Sequence, residues 1–205
     1  ATALGVYLVF PLELQAMEPY AYAAAIEKYY NLATTFAIAQ GDYLPNFGRY
    51  HPNHPLGHAL AGLAFDWLNI PALAWMKSIN IFSALASALF LYLISLQLQL
   101  SKRAAVVGVA TFLASNYTLM TVLSGEWHIP ALALSLAGLY NTILYLEHEK
   151  PRSMYAGALL FAFAICYHMA ALSFFVPAAL MVLFSRPLKG RWSSIVLAGA
   201  IVSLS

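Results

Sequence analysis

Charge is what this chain has least of. Only 9% of its 205 residues are Asp, Glu, Lys or Arg, against roughly a quarter in an ordinary soluble domain. Such a chain cannot cover a surface facing water. With 62% hydrophobic residues and a mean hydropathy of +0.73, it reads as an integral membrane protein. Cysteine is nearly absent. The lone Cys166 lies in an apolar run, which excludes a disulfide framework and a CxxC metal pair, and it reads as a buried spectator thiol. There is no basic tract and the net charge is only +2, so nothing points to nucleic acid. No HExxH, heptad, internal repeat or low-complexity tract is present. The opening ATALGVYLVF, without a basic segment, is not read as a signal peptide. The chain stops in AGAIVSLS, inside another apolar run, and is expected to be an internal portion of a longer polytopic protein.

Against this background one stretch, residues 13–58, is polar. It holds four of the eight acidic residues (Glu13, Glu18, Glu27, Asp42) and three of the six histidines (His51, His54, His58). Residues 16–39 have helical composition with mixed apolar, aromatic and charged side chains, which suits a helix lying in the membrane interface. Residues 41–55 are rich in Gly, Pro and Asn and predict irregular backbone. Pro55 is well suited to open a helix running to about Leu68.

The rest is expected to be helices in a single all-α membrane domain, with residues 59–205 carrying transmembrane helices and about six to seven spans in all. Apolar runs cover residues 72–100, 104–123 and 130–146. Residues 154–185 form one apolar run of 32. As a single helix it would be about 48 Å long, too long for one crossing without severe tilt. Basic residues flank it on both sides, Lys150 and Arg152 before and Arg186, Lys189 and Arg191 after. A hairpin turning near residues 168–173 keeps both groups on one membrane face, as the positive-inside rule prefers. Lys102 and Arg103 then fall on that face too, which is read as cytoplasmic. The stretch 13–58, the turn SGEWHIP at 124–130 and His168 fall on the opposite, extracytoplasmic face.

The candidate residues follow from that sidedness. Glu18 and Asp42 are carboxylates suited to take a proton from an acceptor hydroxyl or to hold a divalent cation; a solvated loop acid or helix cap serves as well. His51, His54 and His58 are spaced like metal ligands, but prolines interrupt them, and hydrogen bonding to phosphate or substrate, or simple loop packing, fits too. Arg49 suits bidentate phosphate recognition or contact with lipid headgroups. Glu126 and His128 on a tight turn between spans are costly unless solvated or used. His168 ends a span in ICYHMA and reads as a site residue or as a hydrogen-bonded helix end. The aromatic residues are assigned to the interfacial belt and to lipid contact.

Four segments, in order, resemble the amino-terminal half of the GT-C superfamily of integral membrane glycosyltransferases, which includes protein mannosyltransferase-like and aminoarabinose transferase-like enzymes. They are MEPYAYAAAI with Glu18 and Tyr22, GDYLPNFGRYHPNHPLGHALAGL, SNYTLMTVLSGEWHIPALALSLAGLY and AICYHMAALSFFVPAAL. The first-loop acid is Glu here, where many members have Asp. The resemblance implies transfer of a sugar from a polyprenyl-phosphate donor to an extracytoplasmic acceptor. It implies Glu18 as the acceptor's base, Arg49, His51 and His54 at phosphate or sugar, and Glu126 and His128 shaping the pocket. Membrane lipids, a lipid-linked sugar donor and other membrane subunits are the implied partners. A divalent cation is compatible with these residues and required by none of them. Two other functions fit the composition: a non-catalytic subunit that kept the fold inside a larger membrane complex, and, with less support, a pigment- or haem-binding subunit.

Overall fold

The computed structural model describes residues 55–185. The expected first span, the interfacial helix and residues 51–54 of the HPNHP turn lie outside the described residues, as do residues 186–205. Among the described residues the fold is all-helical. Its helices are α1 (Pro55–Leu68), α2 (Ala72–Gln97), α3 (Lys102–Ala114), α4 (Asn116–Ser124), α5 (His128–His148), α6 (Pro151–Tyr167) and α7 (Leu172–Ser185), with a 3-10 turn at Met169–Ala171. Two helices, α2 and α5, are each long and apolar enough to cross a membrane, and α3 with α4 makes a third candidate if the pair counts as one bent span.

Most boundaries fall where local chemistry asks for them. Pro55 opens α1 and Pro151 opens α6, each at a position where a missing N–H costs nothing. Gly125, at φ +91°, closes α4 with its N–H on the Thr121 carbonyl, a left-handed conformation that glycine adopts without a Cβ penalty. The apolar run 104–123, expected as one helix, is in fact two that meet at a 51° bend. Ser115 makes the break. Its backbone N–H closes α3 on the Phe112 carbonyl, and its side-chain oxygen accepts the N–H of Thr118 to cap α4. A serine hydroxyl competes in this way with the regular helix ladder.

The direction of each helix follows from contacts at its two ends. Asn80, early in α2, donates to the Glu126 carbonyl just ahead of α5. Gln97, at the end of α2, donates to Glu147 near the end of α5. α2 and α5 therefore run parallel, and α3–α4 makes the return between them. α6 runs back along α5. A Cβ on Gly157 would lie 3.1 Å from the Gly138 carbonyl oxygen, and one on Gly138 would lie 2.9 Å from the Phe161 ring. Small residues let these two backbones approach closely, the usual device where lipid gives no hydrophobic drive to association.

The run 154–185 is broken near the expected turn, although neither half is among the helices long and apolar enough to cross a membrane. α6 ends at Tyr167, and α7 folds back. Phe161 and Phe175 have ring centroids 5.6 Å apart, where a continuous helix would separate them by roughly 21 Å.

α5 sits at the centre, with 61% of its most apolar window buried, against 28% for α2. α2 buries mostly small or polar residues (Ala72, Asn80, Ala84, Ser87, Ala88) together with Met76 and Ile94, and turns Ile81, Phe82, Leu85 and Leu89 outward. That inversion of a soluble core suits a helix facing lipid. Lys102, Arg103, Lys150 and Arg152 gather at the end of the bundle where α2 and α5 finish. Glu126, His128 and His168 lie at the other end. Cys166 is half-buried near the end of α6 rather than enclosed.

Candidate functional site: a polar corner over an apolar cleft

Three of the candidate side chains meet. Glu126 and His128 flank Trp127 in the turn between α4 and α5. His128 Nδ1 lies 3.2 Å from Glu126 Oε2. Their rings and charges are neither deeply buried nor free in water, at 39% and 32% side-chain exposure. His168, forty residues on, stacks its ring on His128 with centroids 4.1 Å apart and planes at 39°. Its Nδ1 accepts the backbone N–H of Ala170 at 3.0 Å, which caps the 3-10 turn. The two hydrogen bonds assign opposite tautomers. A carboxylate only accepts, so His128 carries its proton on Nδ1 and points Nε2 elsewhere. His168 accepts at Nδ1, so its proton is on Nε2. The corner thus sets two imidazoles with complementary hydrogen-bonding edges side by side.

What holds the turn in place was not anticipated from sequence. Trp127, assigned with the other aromatics to belt and lipid contact, is 2% exposed. It packs among Met76, Ala131, Ala61 and Tyr167, with the Tyr167 ring 6.2 Å away. α1 reaches it through Gly57, where a Cβ would lie 2.6 Å from the indole. Asn80, fully buried in the first half of α2, donates from its Nδ2 amide to the Glu126 carbonyl at 2.7 Å and to the Thr121 carbonyl at 3.2 Å. A polar residue inside an apolar span was the available signal for it. Trp127 had none, because an indole in a membrane chain reads first as interfacial.

Beneath the imidazoles lies an open cleft of about 250 Å³ between α4, α5 and α7, lined by residues that include Tyr117, His128, Leu132, Ser135, His168 and Phe174. Its walls are mostly apolar. Ser135 is fully buried there, and its hydroxyl has no hydrogen-bond partner.

The remaining candidates divide simply. Glu18, Asp42, Arg49, His51 and His54 lie outside the described residues, and His58 falls in the first turn of α1. Among the described residues no three His, Cys, Asp or Glu side chains converge at metal-binding distance. Comparison with family models, with curated proteins and with solved structures finds no match to this chain.

Proposed function

We propose that this chain is part of a polytopic membrane glycosyltransferase with about six to seven spans, moving a sugar from a polyprenyl-phosphate donor to an acceptor on the extracytoplasmic side. In this reading Glu18 takes the proton of the acceptor hydroxyl as the new glycosidic bond forms. Asp42 supports it, and Arg49, His51 and His54 meet the donor's phosphate or sugar. The bond from the anomeric carbon to the phosphate oxygen breaks, and the phosphate leaves on its lipid. His58, Glu126, His128 and His168 complete the pocket wall.

One observation supports this reading best. Glu126–His128 and His168, from separate turns, stand together at the end of the bundle opposite Lys102, Arg103, Lys150 and Arg152. The positive-inside rule would put that basic end in the cytoplasm and the acid–imidazole corner outside. An oriented imidazole with a carboxylate behind it is a recurring arrangement for moving protons.

The test is turnover of a polyprenyl-phosphate sugar by the purified protein in nanodiscs. Glu18→Gln is expected to lower the rate by about 10²-fold or more, and His128→Ala to lower it less. A preparation that consumes no donor, yet co-purifies in fixed ratio with other membrane proteins, would instead identify a structural subunit.

A further inference from the structure

We propose that the turn between α6 and α7 is a protonation-sensitive hinge: acid removes its histidine cap and loosens the wall that the turn gives to the cleft. Sugar transfer is not needed for this, only the geometry of the corner.

The turn is short. After α6 ends at Tyr167, His168 takes an extended backbone (φ −163°, ψ 126°), and the 3-10 turn Met169–Ala171 leads straight into α7. His168 Nδ1 accepts the Ala170 N–H at 3.0 Å. The Ala171 N–H reaches the His168 carbonyl at 3.0 Å, and the Ser173 hydroxyl reaches the Ala170 carbonyl at 2.7 Å. Those last two acceptors are carbonyls, which do not titrate. The first is a ring nitrogen, and it accepts only while it carries no proton. An imidazolium has N–H groups on both sides. Protonation of His168 therefore sets its Nδ1–H against the Ala170 N–H, and the ring must leave the amide it caps.

The neighbouring ring adds to this. His128 lies 4.1 Å away, centroid to centroid, with Glu126 at 3.2 Å from its Nδ1. A carboxylate there can hold a charge on His128. Two imidazolium rings at this separation repel, so a charged His168 is pushed off the stack as well as off its cap.

Among the described residues the other titratable and charged groups around the corner are these. Cys166 and Tyr167 precede His168 on α6, and Tyr117 lines the same cleft from α4. Thiols and phenols ordinarily ionise above the imidazole range. α2 brings Lys77 beside Gly125 in the α4–α5 turn. α1 carries His58 in its first turn and Asp66 in its last. The 3-10 turn and α7 have no titratable side chain. The cap is complete where the His168 imidazole is neutral and is lost as pH falls through the range of about 6–7 where a histidine ordinarily titrates. His168, Ala170, Ala171 and Ser173 all line the cleft, so losing the cap loosens that wall.

The experiment is hydrogen exchange on the purified full chain in nanodiscs, resolved at single amides, at pH 8 and pH 5. Each rate is divided by that of an unstructured chain at the same pH. Protection of the Ala170 N–H is expected to fall about three- to tenfold at pH 5, the loss of one hydrogen bond. The Gly125 N–H, bonded to the Thr121 carbonyl, should keep its protection. His168→Asn supplies a side-chain oxygen that can accept the same N–H and does not titrate, so protection at Ala170 should be equal at the two pH values. His168→Ala should leave it low at both. Equal protection of Ala170 at both pH values in the unchanged protein would overturn the proposal. So would a fall that persists in His168→Asn, high protection in His168→Ala, or an equal fall at Gly125, which would mark general acid unfolding. Each result can be read without any donor turnover.

Discussion

The central helix α5 carries an acid and a histidine at both of its ends, and the two pairs have different surroundings. At its start, Glu126 and His128 lie 3.2 Å apart on either side of a buried tryptophan. At its end, Glu147 and His148 are 3.8 Å apart, and their side chains are 40% and 55% exposed. The residue types are the same, the helix is the same, and the local sequence does not separate them. What differs is the neighbourhood. The first turn is enclosed by α1, α2 and α6 and is stacked on by His168. At the second, the Gln97 side chain donates to the half-exposed Glu147. An acid–imidazole pair becomes a built feature when the backbone between its members is buried and tied, and that is a property of tertiary packing.

The comparison breaks most violently at Trp127. Trp127→Ala removes a fully packed indole and leaves a cavity among Met76, Ala61 and Tyr167. The expected cost is about 3–5 kcal/mol, on the order of a 10 °C fall in Tm. His148→Ala, at the exposed turn, should change stability by less than about 0.5 kcal/mol. Equal Tm shifts for the two variants, measured by thermal unfolding in the same detergent, would erase the distinction between the ends.

A smaller effect is expected on α2, where two buried polar residues can be set against each other. Asn80→Leu deletes the hydrogen bonds to the Glu126 and Thr121 carbonyls. The Thr121 carbonyl keeps Ser124 Oγ and the Gly125 N–H as donors, so the loss falls mainly on the turn, at about 1–2 kcal/mol. Ser87 is equally buried and its hydroxyl has no partner, whereas Asn80 lacks a partner only at Oδ1 and donates twice from Nδ2. Ser87→Ala should therefore be neutral or stabilising. Thermal midpoints falling in the opposite order would mean that Asn80 does not hold the turn.

The same contrast explains what could be read from sequence. The membrane class followed from scarce charge, and the reversal near His168 from basic residues on both sides of a run too long for one crossing. Both rest on bulk properties of the bilayer. Pro55 and Pro151 marked helix starts through their own backbone chemistry. The break at Ser115 was hidden because one hydroxyl decides it inside an otherwise continuous apolar run. The central place of α5 and the peripheral place of α2 were hidden too, since both are long and apolar and lipid accepts either face. The meeting of His128 with His168 depends on how α6 returns along α5, through Gly138 and Gly157, and spacing along the chain does not carry that. Residues 13–54 of the polar stretch lie outside the described residues.

The finest distinction between the two ends lies in the proton on each imidazole. Glu126→Ala and Glu147→Ala both alter partly exposed pairs, and such pairs contribute about 0–1 kcal/mol, so stability should hardly register either change. Nitrogen-15 spectra of the imidazoles should register one of them. With Glu126 present, His128 is expected mainly in the Nδ1–H form, and Glu126→Ala should move it toward the mixture of a free imidazole. His148, more exposed and at the longer distance, should show little change on Glu147→Ala. A His128 that carries its proton on Nε2 before any substitution would mean that Glu126 does not orient it. The acid–imidazole corner would then lose its claim to proton chemistry.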